Sequence, residues 1–281
     1  MAEHSVKEVC CMDTVRLDEF GKDFGLVHEA IVTGRKISTP RELQTFFARL
    51  AHNEDKFRSV MDDVLNLGMT EAERMAQEIL GEDRVVCRQS ACFTRNVDQP
   101  ETEPAMLYSE DILRECAEAN ASGTANWRFA YATGLNLRSQ CKLIGCSHEK
   151  QPCFDPDWTW WLESHQDSWA KKPALPGYRL LDFTKRFSYL NWDVQGKEIA
   201  KLGDQFERAE EQTVAEICFS TFLMNKEERL LPNWYHWGKL RSARGRHVCV
   251  GHFDRLGFNA YNGWAVFPND NLGVVLSRKF A

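Results

Sequence analysis

The sequence has no apolar run that approaches the length of a membrane-spanning helix, and its polar N-terminus lacks the apolar core of a secretory signal. These absences predict a cytoplasmic protein with no membrane partner. Of the 281 residues, 43% are apolar and 27% are charged, which excludes disordered and fibrous classes. In such a chain the ten cysteines are expected to be thiols rather than a disulfide framework.

The motifs of familiar enzymes are also missing. The sequence has no P-loop, no GxGxxG, no GxSxG and no HExxH, and we therefore predict that the protein is not an enzyme. One alternative stays open. Cys153 lies near Glu163, His165 and Asp167, and these residue types can form a Cys/His nucleophile system for an unknown reaction.

The cysteine spacing suggests a metal site. Two pairs share a C-x4-C spacing, Cys87 with Cys92 and Cys141 with Cys146. Thiolates are preferred ligands of tetrahedral zinc, so these four residues are a candidate structural zinc site, with His148 as a further donor close by. Free cysteine is also a common small core residue, and four separate buried thiols are the competing interpretation.

Before residue 150 the sequence has mainly helical patterns. Residues 1–38 show no sustained period and are interpreted as an arm, and residues 39–150 are predicted to form a mostly helical domain that contains the possible zinc site. Within this domain, residues 40–81 predict three short helices, the last of which begins with a capping box at Thr70–Glu73. Ser109 is the candidate N-cap of a further helix.

The composition changes near residue 150. Eight of the nine tryptophans follow this point, and four prolines make the next segment irregular. Asp155 and Asp157 in this segment are interpreted as turn residues rather than as a metal dyad. Two helices are predicted farther along, over Glu198–Phe206 and Glu211–Met224, and the second is expected to bury one apolar face.

The last fifty residues have the pattern of β-strands. Short apolar runs at Val248–Val250, Trp264–Phe267 and Leu272–Leu276 are separated by glycines and by the turn sequence Pro268–Asn271. With the two helices before them, these runs predict an α+β domain over residues 151–281. The fold class expected for the whole chain is α+β, with the mostly helical domain first.

One segment allows a nucleic-acid interpretation. Residues Trp234–Trp237 combine aromatic rings with the following Arg241, Arg244 and Arg246, as in platforms for single strands. A net charge of -6 argues against general nucleic-acid binding. We favour buried tryptophans beside a solvated basic loop, and keep a zinc-containing single-strand binder as the alternative.

The C-terminal residues have an unusual composition. Residues 252–276 contain no lysine, glutamine, glutamate or methionine, although these four types make up 55 of the 281 residues. Small, aromatic and short polar residues take their place, as they do in adaptable binding surfaces.

The same segment carries a family resemblance. Its frame resembles the C-terminal variable region of diversity-generating retroelement target proteins, which are similar to the formylglycine-generating-enzyme subclass of the C-type lectin fold. The similarity covers roughly residues 155–281 and includes the upstream runs Gly177–Tyr178 and Asn233–Gly238. The frame residues are Val248, Val250, Gly251, Phe253, Gly257, Phe258, Trp264, Leu272, Gly273, Val274, Ser277, Arg278, Lys279 and Phe280.

The resemblance implies a C-type-lectin-like domain over 151–281 with a variable region of about 248–281. In the family, a reverse transcriptase copies a template repeat with errors at adenines, so that AAC codons become many residue types but never Lys, Gln, Glu, Met or Trp. This copying would account for the depleted segment. Scaffold positions stay fixed, and Trp264, Leu272 and Val274 are therefore expected to lie inside, as is Phe280.

The resemblance also implies which residues contact a ligand. The expected ligand is a macromolecule, most readily a protein, and nucleic acid is not expected. The calcium motif of sugar-binding C-type lectins and the cysteine pair of the formylglycine-generating enzymes are missing, so neither calcium nor catalysis is implied. The candidate contacts lie between the frame residues: His252, Asp254, Arg255, Asn259, Tyr261, Asn262, Ala265, Phe267, Asn269 and Asn271.

Overall fold

A computed structural model of the chain describes residues 69–100, 102, 104, 105 and 107–279, together with positions 39 and 41. The predicted arm, Phe280 and all of the first two predicted helices except position 41 lie outside these residues. Within the part of the chain that is described, no helix combines the length and apolar character needed to cross a membrane.

Helices dominate the first part of the described chain and strands the last. The helices are α1 (Glu71–Leu80), α2 (Arg88–Arg95), α3 (Glu110–Ala121), α4 (Leu137–Ile144), α5 (Asp167–Ala170), α6 (Trp192–Lys201) and α7 (Glu211–Met224). The strands are β1 (Val85–Val86), β2 (Trp127–Ala132), β3 (Gly177–Arg186), β4 (Phe206–Arg208), β5 (Tyr235–Arg241), β6 (His247–Asp254), β7 (Gly257–Gly263) and β8 (Leu272–Arg278).

The helices predicted from capping residues form where the sequence places them. At the start of α1, the Thr70 Oγ1 accepts a hydrogen bond from the Glu73 amide at 3.1 Å, and the Glu73 carboxylate accepts one from the Thr70 amide at 2.9 Å. The Ser109 hydroxyl caps α3 by accepting from the Ile112 amide. Both predictions are confirmed, because these signals lie within one helical turn.

The eight strands form one mixed sheet in the order β1-β2-β3-β8-β5-β6-β7, and β4 pairs with β8 off this path. The last strand of the chain lies at the centre, where β8 runs antiparallel to β3 and parallel to β5. The pairs β5–β6 and β6–β7 are antiparallel. Helices together with this sheet confirm the α+β class.

Helix α7 is the central helix of the core. Sequence analysis predicted one buried face, and Val214, Ile217, Cys218 and Phe222 are buried as expected. The opposite face is buried as well, since every residue from 211 to 222 is enclosed. The helix contacts α2, β1 and β2 as well as β5 and β6, and only its last residues, Leu223 and Met224, are exposed.

Two predicted elements are wrong. The helix predicted over Glu198–Phe206 is α6, which begins at Trp192 because the Asn191 side chain accepts from the Val194 amide. It ends before Gly203, and Phe206 begins β4 instead. The run Trp264–Phe267 is a turn between β7 and β8 rather than a strand.

The contacts of the described residues show no break at the predicted domain boundary near residue 150. The chain divides into the units Met1–Leu67 and Gly68–Ala281, so the second unit contains most of the supposed helical domain. Strand β2 explains this, because it pairs with β3 from Trp127 opposite Asp182 to Ala132 opposite Gly177. One apolar core accordingly includes residues from both sides of position 150.

Candidate ligand-binding surface

Strands β6 and β7 supply the framework of the candidate surface. Val248, Val250, Phe258 and Ala260 are buried in the main core. A second cluster consists of Trp237, Cys249 and Leu272, against which Trp192 and Tyr235 pack. Apolar contacts therefore hold the central strands in place from both sides, and β7 reaches solvent only in its last three residues, from Tyr261 to Gly263.

Nine of the ten candidate contact residues are partly or fully exposed. The exception is Asn259, which is only 4% exposed. The exposed group comprises Arg255, Tyr261, Phe267 and Asn269, and the half-buried group comprises His252, Asp254, Asn262, Ala265 and Asn271.

Four rings form a continuous aromatic row on this surface. Trp158 contacts Tyr261 edge-on at 5.6 Å between ring centroids, and Tyr261 lies 5.8 Å from Tyr235. Tyr235 in turn stacks on His252 at 5.4 Å. Partial burial raises the pKa of Tyr235 to about 12, so its phenol stays neutral.

Sequence analysis missed two members of this aromatic row. Trp158 precedes the proposed variable region, and Tyr235 lies in the segment that had raised the nucleic-acid alternative. The available signal was the crowding of aromatic residues after position 150. Pairing of β5 with β6, which sets Tyr235 opposite Gly251, brings these distant segments together.

Gly251 fixes the position of His252. Its φ is +137°, and a Cβ at this position would lie 2.5 Å from the Trp234 carbonyl oxygen. The same carbonyl accepts the His252 amide at 2.8 Å, and His252 itself has a φ of 47°. Only glycine permits this close approach, and the local turn places the imidazole over Tyr235.

The turn after β7 presents a second exposed apolar group. Trp264 is 50% exposed, so the prediction that it lies inside is wrong, and Phe267 is 65% exposed. The Arg246 guanidinium covers the Trp264 ring at 4.6 Å from its centroid. Leu272 and Val274 are buried, as the frame predicted.

The four cysteines of the predicted zinc site do not come together. Cys141 and Cys146 face each other with 3.0 Å between sulfur atoms, but Cys87 instead accepts a hydrogen bond from the Gln77 amide group at 3.7 Å. Burial raises the pKa of Cys87 to about 12 and also raises that of Cys92. Among the described residues, none of these four cysteines belongs to a group of three or more donors close enough to hold one ion.

The hydrogen bonds recorded for the proposed nucleophile, Cys153, do not include its proposed base, His165. Cys153 is fully buried, and the Gln151 amide and the Leu256 carbonyl are its hydrogen-bond partners. Burial raises the pKa of this thiol, which disfavours the reactive thiolate. His165 instead contacts Glu163 at 3.2 Å.

Asp167, the fourth member of the predicted nucleophile system, forms ion pairs with two basic side chains. Its carboxylate pairs with Arg138 at 2.6 Å and with Lys171 at 2.7 Å.

The tryptophans of the nucleic-acid alternative, Trp234 and Trp237, are buried as we favoured. These contacts assemble neither a Cys/His catalytic site nor an exposed aromatic platform for single-stranded nucleic acid.

The only group of three potential metal ligands among the described residues lies elsewhere. His148, Asp155 and Asp157 place one donor atom each within 4.8 Å of one another. Asp155 also has the turn role predicted for it, since its Oδ1 accepts from the Asp157 amide at 2.9 Å.

Comparisons with known proteins found no similar protein. The chain matches no family model, no curated protein and no solved structure.

Proposed function

We propose that the C-terminal part of the chain is a ligand-binding domain of the C-type-lectin-like, formylglycine-generating-enzyme-like subclass, diversified by a retroelement to bind varied macromolecular targets. The order of elements supports this proposal, because α6 and α7 precede the strands β5–β8. The protein acts by binding rather than by catalysis.

The contrast in burial between frame and candidate positions carries the proposal. Nine of the ten candidate positions reach solvent, whereas frame residues such as Val250, Phe253 and Phe258 are buried. Surface substitutions usually change stability by less than about 0.5 kcal/mol, whereas truncating core aromatic residues costs about 3–5 kcal/mol. A surface arranged in this way tolerates replacement of the residues that would be diversified.

The surface chemistry favours a macromolecular ligand, most readily a protein. The aromatic row supplies large rigid rings, which lose little rotamer entropy on binding. Asn262, Asn269 and Asn271 add short groups that can donate and accept hydrogen bonds. The eight cysteines described in the structure are free, which is in keeping with a cytoplasmic protein.

A randomised library tests the proposal directly. The nine exposed candidate positions would be varied with adenine-mutated AAC codons, and the library would be selected against immobilised lysozyme as a probe protein. We expect binders that melt within about 3 °C of the parent, because changes that leave the core intact shift stability little.

A matched library at Val250, Phe253, Phe258 and Val274 provides the control, since these positions are buried. It should yield mostly unfolded variants. The proposal is wrong if substitutions at the nine positions unfold the protein or if no binder emerges. Affinity for single strands that depends on Arg241, Arg244 and Arg246 and falls with salt would favour the nucleic-acid alternative. A near copy of the codons for residues 248–281 beside a reverse transcriptase gene would support diversification independently.

A further inference from the structure

The segment that precedes the aromatic row brings three donor groups together. The His148 imidazole, the Asp155 carboxylate and the Asp157 carboxylate come from one loop before Trp158, and one donor atom of each lies within 4.8 Å of the others. Asp155 is 4% exposed, whereas His148 and Asp157 are exposed. The group is therefore anchored from inside and open to solvent on its other side.

The charge of Asp155 has little compensation. Among the described residues, its ion-pair partner within 4 Å is His148, whose Nε2 lies 3.8 Å from Oδ1. The hydrogen-bond donors to its carboxylate are the Asp157 amide and the Asn259 side chain. A buried carboxylate is costly unless it is paired or coordinates a metal.

An independent observation comes from Asn259 in β7. Its side chain is 4% exposed, and its Nδ2 lies 3.3 Å from Asp155 Oδ2. The Oδ1 of the same amide group is buried without a hydrogen-bond partner. A buried amide oxygen is normally satisfied, and a cation beside the Asp155 carboxylate would satisfy this one.

We propose that His148, Asp155, Asp157 and Asn259 bind a divalent first-row transition metal, with zinc as the best fit. The ligands would be the His148 imidazole, one oxygen from each carboxylate and the Asn259 amide oxygen. Four nitrogen and oxygen donors suit a tetrahedral zinc ion, whereas calcium prefers six to eight oxygen ligands. The His148, Asp155 and Asp157 donors, which lie within 4.8 Å of one another, would close by up to about 1.4 Å around the ion, since tetrahedral ligands about 2 Å from zinc lie about 3.4 Å apart.

The metal site is independent of the diversification proposal, but it lies next to the same surface. Trp158 directly follows Asp157, and Asn259 is two residues before Tyr261. A bound ion joins the loop to β7 behind the aromatic row. It would also explain why Asn259 is buried whereas the other candidate contacts reach solvent.

Zinc titration of the metal-free full-length protein tests the assignment. Isothermal titration calorimetry would compare the wild type with His148→Gln and Asp157→Asn, both of which change exposed side chains. We expect the wild type to bind one zinc ion at this site, and each variant to bind it at least about tenfold more weakly. Loss of a residue that only hydrogen-bonds to a metal ligand already has an effect of this size. Melting temperatures without zinc should be unchanged.

Two further variants separate this site from other donors. His165→Gln is the matched control, because His165 is an exposed histidine beside Glu163, and Cys146→Ser removes one thiol of the close cysteine pair. Neither should change the affinity of the zinc ion that His148→Gln weakens. The assignment is overturned if Cys146→Ser alone removes zinc, if either ligand variant binds zinc like the wild type, or if only calcium binds and does so without His148.

Discussion

At the scale of single residues, the buried carboxyl group of Glu211 packs directly against Gly238. Glu211 Oε1 accepts the Leu240 amide at 2.6 Å, and burial raises the pKa of Glu211 to about 7. The side chain occupies the space beside Gly238, where an added Cβ would overlap its Cγ and Cδ atoms. The role of this glycine depends on α7 packing against β5, so its own neighbourhood in the sequence gave no indication of it.

Gly238→Ala should therefore destabilise the protein by about 1–3 kcal/mol, since overpacking in a closed core has that cost. Gly196→Ala in α6 is the matched control, because a Cβ there meets no atom within 4 Å. It should be neutral or stabilise by up to about 1 kcal/mol through helix propensity. Urea unfolding measures both, and equal effects of the two substitutions would contradict the packing argument.

His236 should make stability fall in acid. Its Nδ1 accepts the Val275 amide at 2.9 Å and its Nε2 lies 3.0 Å from the Ala209 carbonyl, so the ring is neutral with its proton on Nε2. Burial lowers its pKa from 6.5 to about 3. Between these values the unfolded chain binds a proton that the folded chain does not, so stability is lost as pH falls through this window.

The expected slope from this one residue is up to about 1.4 kcal/mol per pH unit. His236→Gln keeps a donor and an acceptor but does not titrate, so unfolding free energies at pH 5 and pH 7 should differ less in this variant than in the wild type. His252→Gln, which alters a partly exposed ring, is the control. The same pH difference in the wild type and His236→Gln would rule out this role.

At the scale of elements, local signals predicted structure better than apolar runs did. The capping residues Thr70 and Ser109 located α1 and α3, because a cap acts within one turn of its own helix. Strands β2 and β3 were missed, since β2 is buried along its whole length and shows no alternation. The run Trp264–Phe267 looked like a strand, but it has no strand partner and forms the turn before β8.

Truncation of Trp237 should destabilise the protein far more than truncation of Trp264. Trp237 is fully buried in the second cluster, whereas half of Trp264 is exposed above Arg246. Trp237→Ala should cost about 3–5 kcal/mol, and Trp264→Ala less than about 1 kcal/mol, since it loses mainly an exposed cation–π contact. Thermal unfolding of both variants distinguishes them. A large loss of stability in Trp264→Ala would show instead that Trp264 is a core residue of the scaffold.

At the scale of the whole molecule, the candidate surface could be predicted in part and the domain boundary could not. The resemblance of the C-terminal segment implied positions such as Tyr261 and Phe267, and the unusual residue usage of the same segment was in keeping with it. Trp158 and Tyr235 join them only through long-range strand pairing. The change in tryptophan content near residue 150 reflects which residues fill the core and does not mark a break in the chain's contacts.

A fragment covering residues 151–281 should therefore fail to fold, although the composition suggested a complete domain. It would leave one edge of β3 without β2 and remove Arg95, which is fully buried and donates to the Glu216 carbonyl of α7 at 2.5 Å. Leaving a buried acceptor without its donor costs about 1–3 kcal/mol, a sizeable part of the 5–15 kcal/mol that typically holds a domain together. A fragment covering residues 68–281 keeps every one of these contacts and should unfold in a single cooperative transition. Circular dichroism during urea unfolding compares the two, and a cooperative transition in the shorter fragment would show that the boundary near residue 150 is real.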